Sequence, residues 1–140
     1  MSLSVVSTYI KLYRDLIKDY GDNSIVFYQV GSFYEMYGEC ENDLINVSRI
    51  LNIYMTRKNK NDKNSAYMCG FPDHALEKHL SKLVLDSNYT VAIYDQTKTD
   101  GKVNKMRKLT QIVSPSTYLV DDNENVLCCI VIDKWQSRNL

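Results

Sequence analysis

The chain has 140 residues, 44% hydrophobic and 24% charged, enough for one core but not for two complete domains. No apolar run approaches the ~20 residues of a membrane span, and the N-terminal stretch lacks the continuous apolar run and cleavage site of a secretory signal; this reads as an intracellular protein with no membrane partner. With 17 basic and 17 acidic side chains the formal net charge is zero, which argues against a free-standing, strongly electrostatic nucleic-acid binder and leaves any DNA contact to a local patch.

From Ser4 to Tyr20, the residues Val5, Val6, Tyr9, Ile10, Tyr13, Leu16 and Ile17 recur at three- and four-residue steps. That spacing predicts one buried helical face, and Gly21 is placed to end the helix. "SIVFYQV" predicts a strand closed by a Gly31-Ser32 turn, with "FYEMY" as the returning strand. After Gly38, the residues Leu44, Val47, Ile50 and Leu51 form a second helical stripe behind acidic residues suited to a helix N-terminus. The polar "MTRKNKNDKNSAYMCGFP" predicts an exposed loop. "DHALEKHLSKLVLDS" predicts a third helix, with Asp73 as N-cap and Ala75, Leu76, Leu80, Leu83 and Val84 as its apolar face. "YTVAIYDQT" reads as a strand and "KTDGKVNKMRK" as a second exposed basic stretch. "LTQIVSPST" is a further strand ended by Pro115, and "NVLCCIVIDKW", behind a linker-like "VDDNEN", has strand composition. The order predicts an α/β fold, a mixed β-sheet flanked by helices.

Chemistry is sparse in this pattern. Cys40, Cys69, Cys128 and Cys129 read as reduced, mostly buried thiols, because the adjacent pair in a strand would face opposite ways. Cys69, His74 and His79 match no zinc spacing, and the two histidines do not share a helical face, so no metal site is expected. Glu35, Glu39, Glu41 and Asp43 are close enough in sequence to suggest a magnesium-dependent nuclease, but they also flank a turn into a helix, where acidic residues have a capping role. No phosphate-binding glycine loop or nucleophile elbow is present. No catalytic residue is assigned, and the composition favours a binding module over an enzyme.

"FYQVGSFYEMYGE" resembles the mismatch-recognition motif of the MutS family of DNA mismatch-repair proteins, in which a Gly-Asp-Phe-Tyr-Glu turn presents a phenylalanine and a glutamate to DNA. "LNIYMTRKN", "YMCGFPDHALEKHLSKLV", "YTVAIYDQT" and "RKLTQIVSPST" resemble further blocks of the family in the family's order, covering roughly Ser4 to Thr117. The chain departs from the family pattern at Ser32, which replaces the turn aspartate, and at Tyr67-Met68-Cys69-Gly70 and Pro115-Ser116-Thr117. The resemblance implies a mismatch-recognition domain over residues 1–120, with 121–140 as a linker and the first strand of a connector domain.

It further implies binding to mismatched or damaged double-stranded DNA, with Phe33 as the aromatic wedge that stacks at a mispair and Glu35 contacting the unstacked base. Alternation along the strand puts Phe33 and Glu35 on one side, with Tyr34 and Met36 turned into the core, and Tyr37 also reads as core. A carboxylate among phosphates is favoured in its protonated form, which can donate a hydrogen bond to a base. Arg57, Lys58, Tyr67, Met68, Cys69, Gly70, Arg107 and Lys108 are the candidates for backbone contact. The family resemblance also implies a longer protein that acts as a homo- or heterodimer and hydrolyses ATP with magnesium elsewhere; no Walker motif occurs here, and the alternative within the family is a domain that works mainly through protein partners.

Overall fold

A computed structural model describes residues 4–99 and 102–118. Ser4 opens the first helix, its Oγ accepting a hydrogen bond from the Ser7 N–H at 3.2 Å, so that an otherwise orphaned donor of the first turn is satisfied. The helix, α1, runs Val5–Tyr20 and ends at Gly21, whose φ of 93° is glycine's natural territory and whose N–H donates to the Ile17 carbonyl at 2.7 Å. Two strands follow as expected, β1 (Ser24–Val30) and β2 (Phe33–Gly38), and then helix α2 (Asn42–Leu51).

The next segment corrects the sequence expectation of a loop. Thr56–Arg57 forms a short strand, β3, and Tyr67–Pro72 forms β4, which pairs along its whole length with β2. The expected exposed loop shrinks to the polar tip between them, residues 59–65. Asp73 is likewise not a side-chain cap: its N–H donates to the Ser32 carbonyl at 2.8 Å, and the chain enters a 3-10 turn (Asp73–Ala75), helix α3 (Leu76–Ser81) and a π-helical turn (Lys82–Asp86). The described part of the expected basic stretch after the next strand is also strand, since β5 (Thr90–Thr99) and β6 (Lys102–Val113) pair antiparallel out to Thr99 and Lys102. Cys69 is buried as expected, whereas Cys40 is exposed. The terminal strand-like run, with Cys128 and Cys129, lies outside the described residues.

The six strands make one mixed sheet in the order β3-β4-β2-β1-β5-β6, in which only β1 and β5 are parallel. Residues paired across neighbouring strands leave the sheet on the same face. One face therefore carries the rows Val30-Phe33-Pro72, Tyr28-Glu35-Gly70 and Tyr37-Met68, and the other carries Phe27, Tyr34, Met36 and Phe71.

Helix α1 covers part of the first face through Tyr9, whose ring meets Tyr28 and Tyr37 edge-on at 6.1 and 5.3 Å between centroids. Its buried hydroxyl donates to the Val26 carbonyl at 2.9 Å, so no polar group is stranded there. On the second face Phe27 and Phe71 pack edge-to-face at 5.0 Å, and Phe71 lies 4.4 Å from the ring of His79, which fixes α3 there. Helix α2 packs against β2, β4 and the Lys82–Asp86 turn. The expected α/β architecture, a mixed sheet flanked by helices, is the one observed.

Candidate nucleic-acid interface

The site begins at the turn between β1 and β2. Gly31 has φ 62°, a left-handed conformation that lets the chain reverse tightly. The turn is bonded from both sides. Toward β5 and β6, the Gly31 N–H donates to Gln96 Oε1 at 2.9 Å, the Gln96 N–H to Gln29 Oε1 at 2.8 Å, and Arg107 Nε to the Gln29 carbonyl at 2.9 Å. Toward α3, the Ser32 carbonyl accepts from Asp73. Phe33 follows directly as the first residue of β2, on this braced turn, with 45% of its surface exposed. Tyr34 and Met36, its strand neighbours on the other face, are buried.

Glu35 sits one row in from Phe33, between Tyr28 and Gly70. Its Oε2 accepts a hydrogen bond from the Tyr37 hydroxyl. The Tyr37 ring is wholly buried, and Lys58 Nζ stands 3.4 Å from its hydroxyl and 4.8 Å from its ring centroid. Burial first, and the bond to Glu35 second, push the Tyr37 hydroxyl well above the ordinary tyrosine range, so it remains a donor throughout the working pH range.

Gly70 lies opposite Glu35, and a Cβ there would come within 2.9 Å of the Tyr34 carbonyl and 3.4 Å of Glu35 Cγ. Only glycine keeps the two strands at this spacing and leaves the row beside Glu35 without a side chain. The guanidinium of Arg107 stands 4.9 Å from the Tyr28 ring centroid, which places it on the same face.

The residues singled out in the sequence thus divide. Phe33, Glu35, Lys58, Met68, Gly70 and Arg107 share one face. Arg57 and Tyr67 pair across β3 and β4 on the face of Phe71. There Arg57 donates to the Ser65 carbonyl and the Tyr67 hydroxyl, each at 2.9 Å, and lies 4.3 Å over the Tyr67 ring, bracing the hairpin. Cys69 is buried toward that same face, its thiol pushed up to about 12 by burial, which takes its side chain off the exposed surface expected for a backbone contact. Lys108 stands opposite Asp95, whose Oδ1 accepts the Tyr34 hydroxyl at 2.5 Å, and so also lies on the far face.

Three contributors were not singled out in the sequence: Gln29 and Gln96, which brace the turn, and Tyr37 as the partner of Glu35. Period-two alternation places Tyr37 on the Phe33 and Glu35 side, a signal that its aromatic character hid. The glutamines give no such signal, because their bonds join residues 65 and 67 positions apart.

The carboxylates that suggested a nuclease do not converge. Glu35 is held by Tyr37, Glu39 is ion-paired with Arg14, and Asp43 Oδ2 accepts the N–H groups of Glu39 and Cys40 at 2.9 and 3.0 Å. Among the described residues no group of three or more His, Cys, Asp or Glu side chains is placed to hold a metal ion. No helix among them is long and apolar enough to cross a membrane.

Comparison with known proteins identifies the family. A family model described as MutS domain I matches residues 7–122. The DNA mismatch repair protein MutS of Rickettsia africae (strain ESF-5) is 36% identical over 123 residues, covering 79% of this chain and 13% of the relative. The protein of the same name from Caldicellulosiruptor bescii is 36% identical over 125 residues, covering 84% of this chain and 14% of the relative. That from Desulfatibacillum aliphaticivorans is 32% identical over 138 residues, covering 94% and 15%. The chain therefore spans 13% to 15% of the length of these relatives. With most of its length matched by the family model and its motif face built from a braced turn on a mixed sheet, the chain belongs to the MutS family, as a domain I.

Proposed function

We propose that this chain is the mismatch-sensing, DNA-binding domain of a mismatch-repair protein, with Phe33 as the wedge at the mispair and Glu35 as the group that meets the unstacked base. The observation that carries the reading is the exposure of Phe33, a large aromatic ring held 45% open on a turn hydrogen-bonded from both flanks. A wedge must unstack bases at a cost of a few kcal/mol per step, an expense offset by the wider contact that kinked DNA allows, and a ring on a loose turn would spend part of that gain on its own ordering. Lys58 and Arg107 supply positive charge on the same face for the phosphates beside the kink.

Selectivity in this reading comes from the DNA. Every base has a π-face, so stacking on Phe33 does not discriminate by base identity. A mispaired step deforms and unstacks more cheaply than a matched one, and the difference in that cost becomes the difference in affinity.

The family membership supports a larger assembly, in which other domains of the polypeptide hold ATP and magnesium and a second subunit, identical or related, completes the grip on the duplex. None of these steps belongs to the residues described here. The reading is tested by titrating the full-length polypeptide against fluorescent duplexes that differ by one mispair. Tighter binding to the mispaired duplex is expected; equal affinity for the two would contradict it.

A further inference from the structure

We infer that Tyr37 is a positioning residue for mismatch recognition: its hydroxyl, with Lys58 behind it, holds the Glu35 carboxylate in the orientation in which it meets the base. The inference rests on the proposed DNA-sensing role of this face and adds to it a residue and a mechanism.

Glu35 is otherwise poorly restrained. Its neighbour in the row on one side is Gly70, which has no side chain to pack against it, and on the other side is Tyr28. A carboxylate on three rotatable bonds in a half-open row explores several rotamers, and ordering it on the DNA would cost affinity. The Tyr37 hydroxyl removes that freedom by binding Oε2, leaving Oε1 as the oxygen available to a base. Tyr37 is itself immobile, its ring wholly buried and packed edge-on against Tyr9 at 5.3 Å.

Lys58 completes a directional chain: its ammonium, 3.4 Å from the Tyr37 oxygen, donates to that oxygen while the hydroxyl donates to Glu35. Hydrogen bonds in such a series polarise one another in the same sense. The charged and titratable groups facing the pair are therefore Lys58 from the hairpin tip, Arg107 from β6, Tyr28 from β1 and Tyr9 from α1. A phenylalanine at position 37 would fill the same space and leave Glu35 without its donor. The hydroxyl is thus surplus to packing and has its one strong partner in Glu35.

The test uses Tyr37→Phe in the full-length polypeptide, which keeps the ring and removes only the oxygen. The affinity for a mispaired duplex is expected to fall about three- to ten-fold, the scale of the net contribution of one ordinary hydrogen bond, while affinity for the matched duplex stays within about two-fold. In a Glu35→Ala background the same substitution is expected to add no further loss, because the two residues act as one unit. A parent-like preference in Tyr37→Phe, or an equal loss with and without Glu35, overturns the inference.

Phe33→Ala separates the layers of the argument. If it weakens mispair binding while Tyr37→Phe does not, only the positioning role falls; if neither does, the DNA-sensing role falls and takes the positioning role with it. In the free 140-residue chain, the carbon-13 resonance of the Glu35 carboxyl should move on Tyr37→Phe, and an unmoved resonance also overturns the inference.

Discussion

Phe33 and Gly70 are opposite kinds of residue that serve the same surface, one by presenting a side chain and the other by having none. The Gly70 site has no room for even a methyl group, because the nearest atom to an added Cβ is a backbone oxygen of the paired strand, 2.9 Å away, and backbone cannot swing aside as a flexible side chain would. Gly70→Ala should therefore spread β2 from β4 and destabilise the domain by about 1–3 kcal/mol, the usual cost of overpacking, as read from urea denaturation. Unchanged stability would mean that the strands separate freely and that Gly70 is not what sets their spacing.

The same strand shows what alternation makes legible. That Tyr34 and Met36 turn inward while Phe33 and Glu35 share the other face follows from a period of two, and the structure has it so. Tyr37 obeys the same period, yet it is buried because α1 lies over that end of the face, and no local pattern reveals where a helix from elsewhere in the chain will rest.

At the scale of elements, the helices and the strands rich in β-branched residues are readable because their apolar periods are strong. The two misread segments were hidden for different reasons. Tyr67–Pro72 does alternate, with Cys69 and Phe71 buried, but Gly70 and Pro72 sit at the interleaved positions and imitate the punctuation of a loop. The outer part of β6 is written mostly in lysine and asparagine, so its strand character depends on the hydrogen bonds that β5 offers rather than on propensity, a tertiary effect.

Helix α3 carries a prediction of its own. His79 is buried against Phe71, its Nδ1 has no hydrogen-bond partner among the described residues, and burial, then Lys78 and Lys82, lower its pKa from 6.5. Above the unfolded value of 6.5 the ring is neutral in both states and its packing contributes in full. As pH falls below that value the unfolded chain takes up a proton that the folded chain resists, so stability declines until the folded pKa is passed. The melting temperature should drop as pH falls below 6.5, and His79→Leu, which packs on Phe71 without titrating, should flatten that drop. A slope that survives the substitution would assign it to another group.

For the whole molecule, the decisive quantities are a net charge of zero and a length of 13% to 15% of the relatives. A neutral domain gains little from counterion release, and Lys58 and Arg107 on the face of Phe33 would be a small electrostatic grip. In the proposed function, selectivity enters at the exposed ring of this domain and most of the affinity comes from the rest of a longer polypeptide. That claim is tested most directly by the affinity of Phe33→Ala, in the full-length polypeptide, for a duplex with a single mispair and for its matched counterpart. Loss of one base-stacking ring should weaken mispair binding by about 1–3 kcal/mol and leave matched binding nearly unchanged. The same mispair preference with and without the ring would contradict the account.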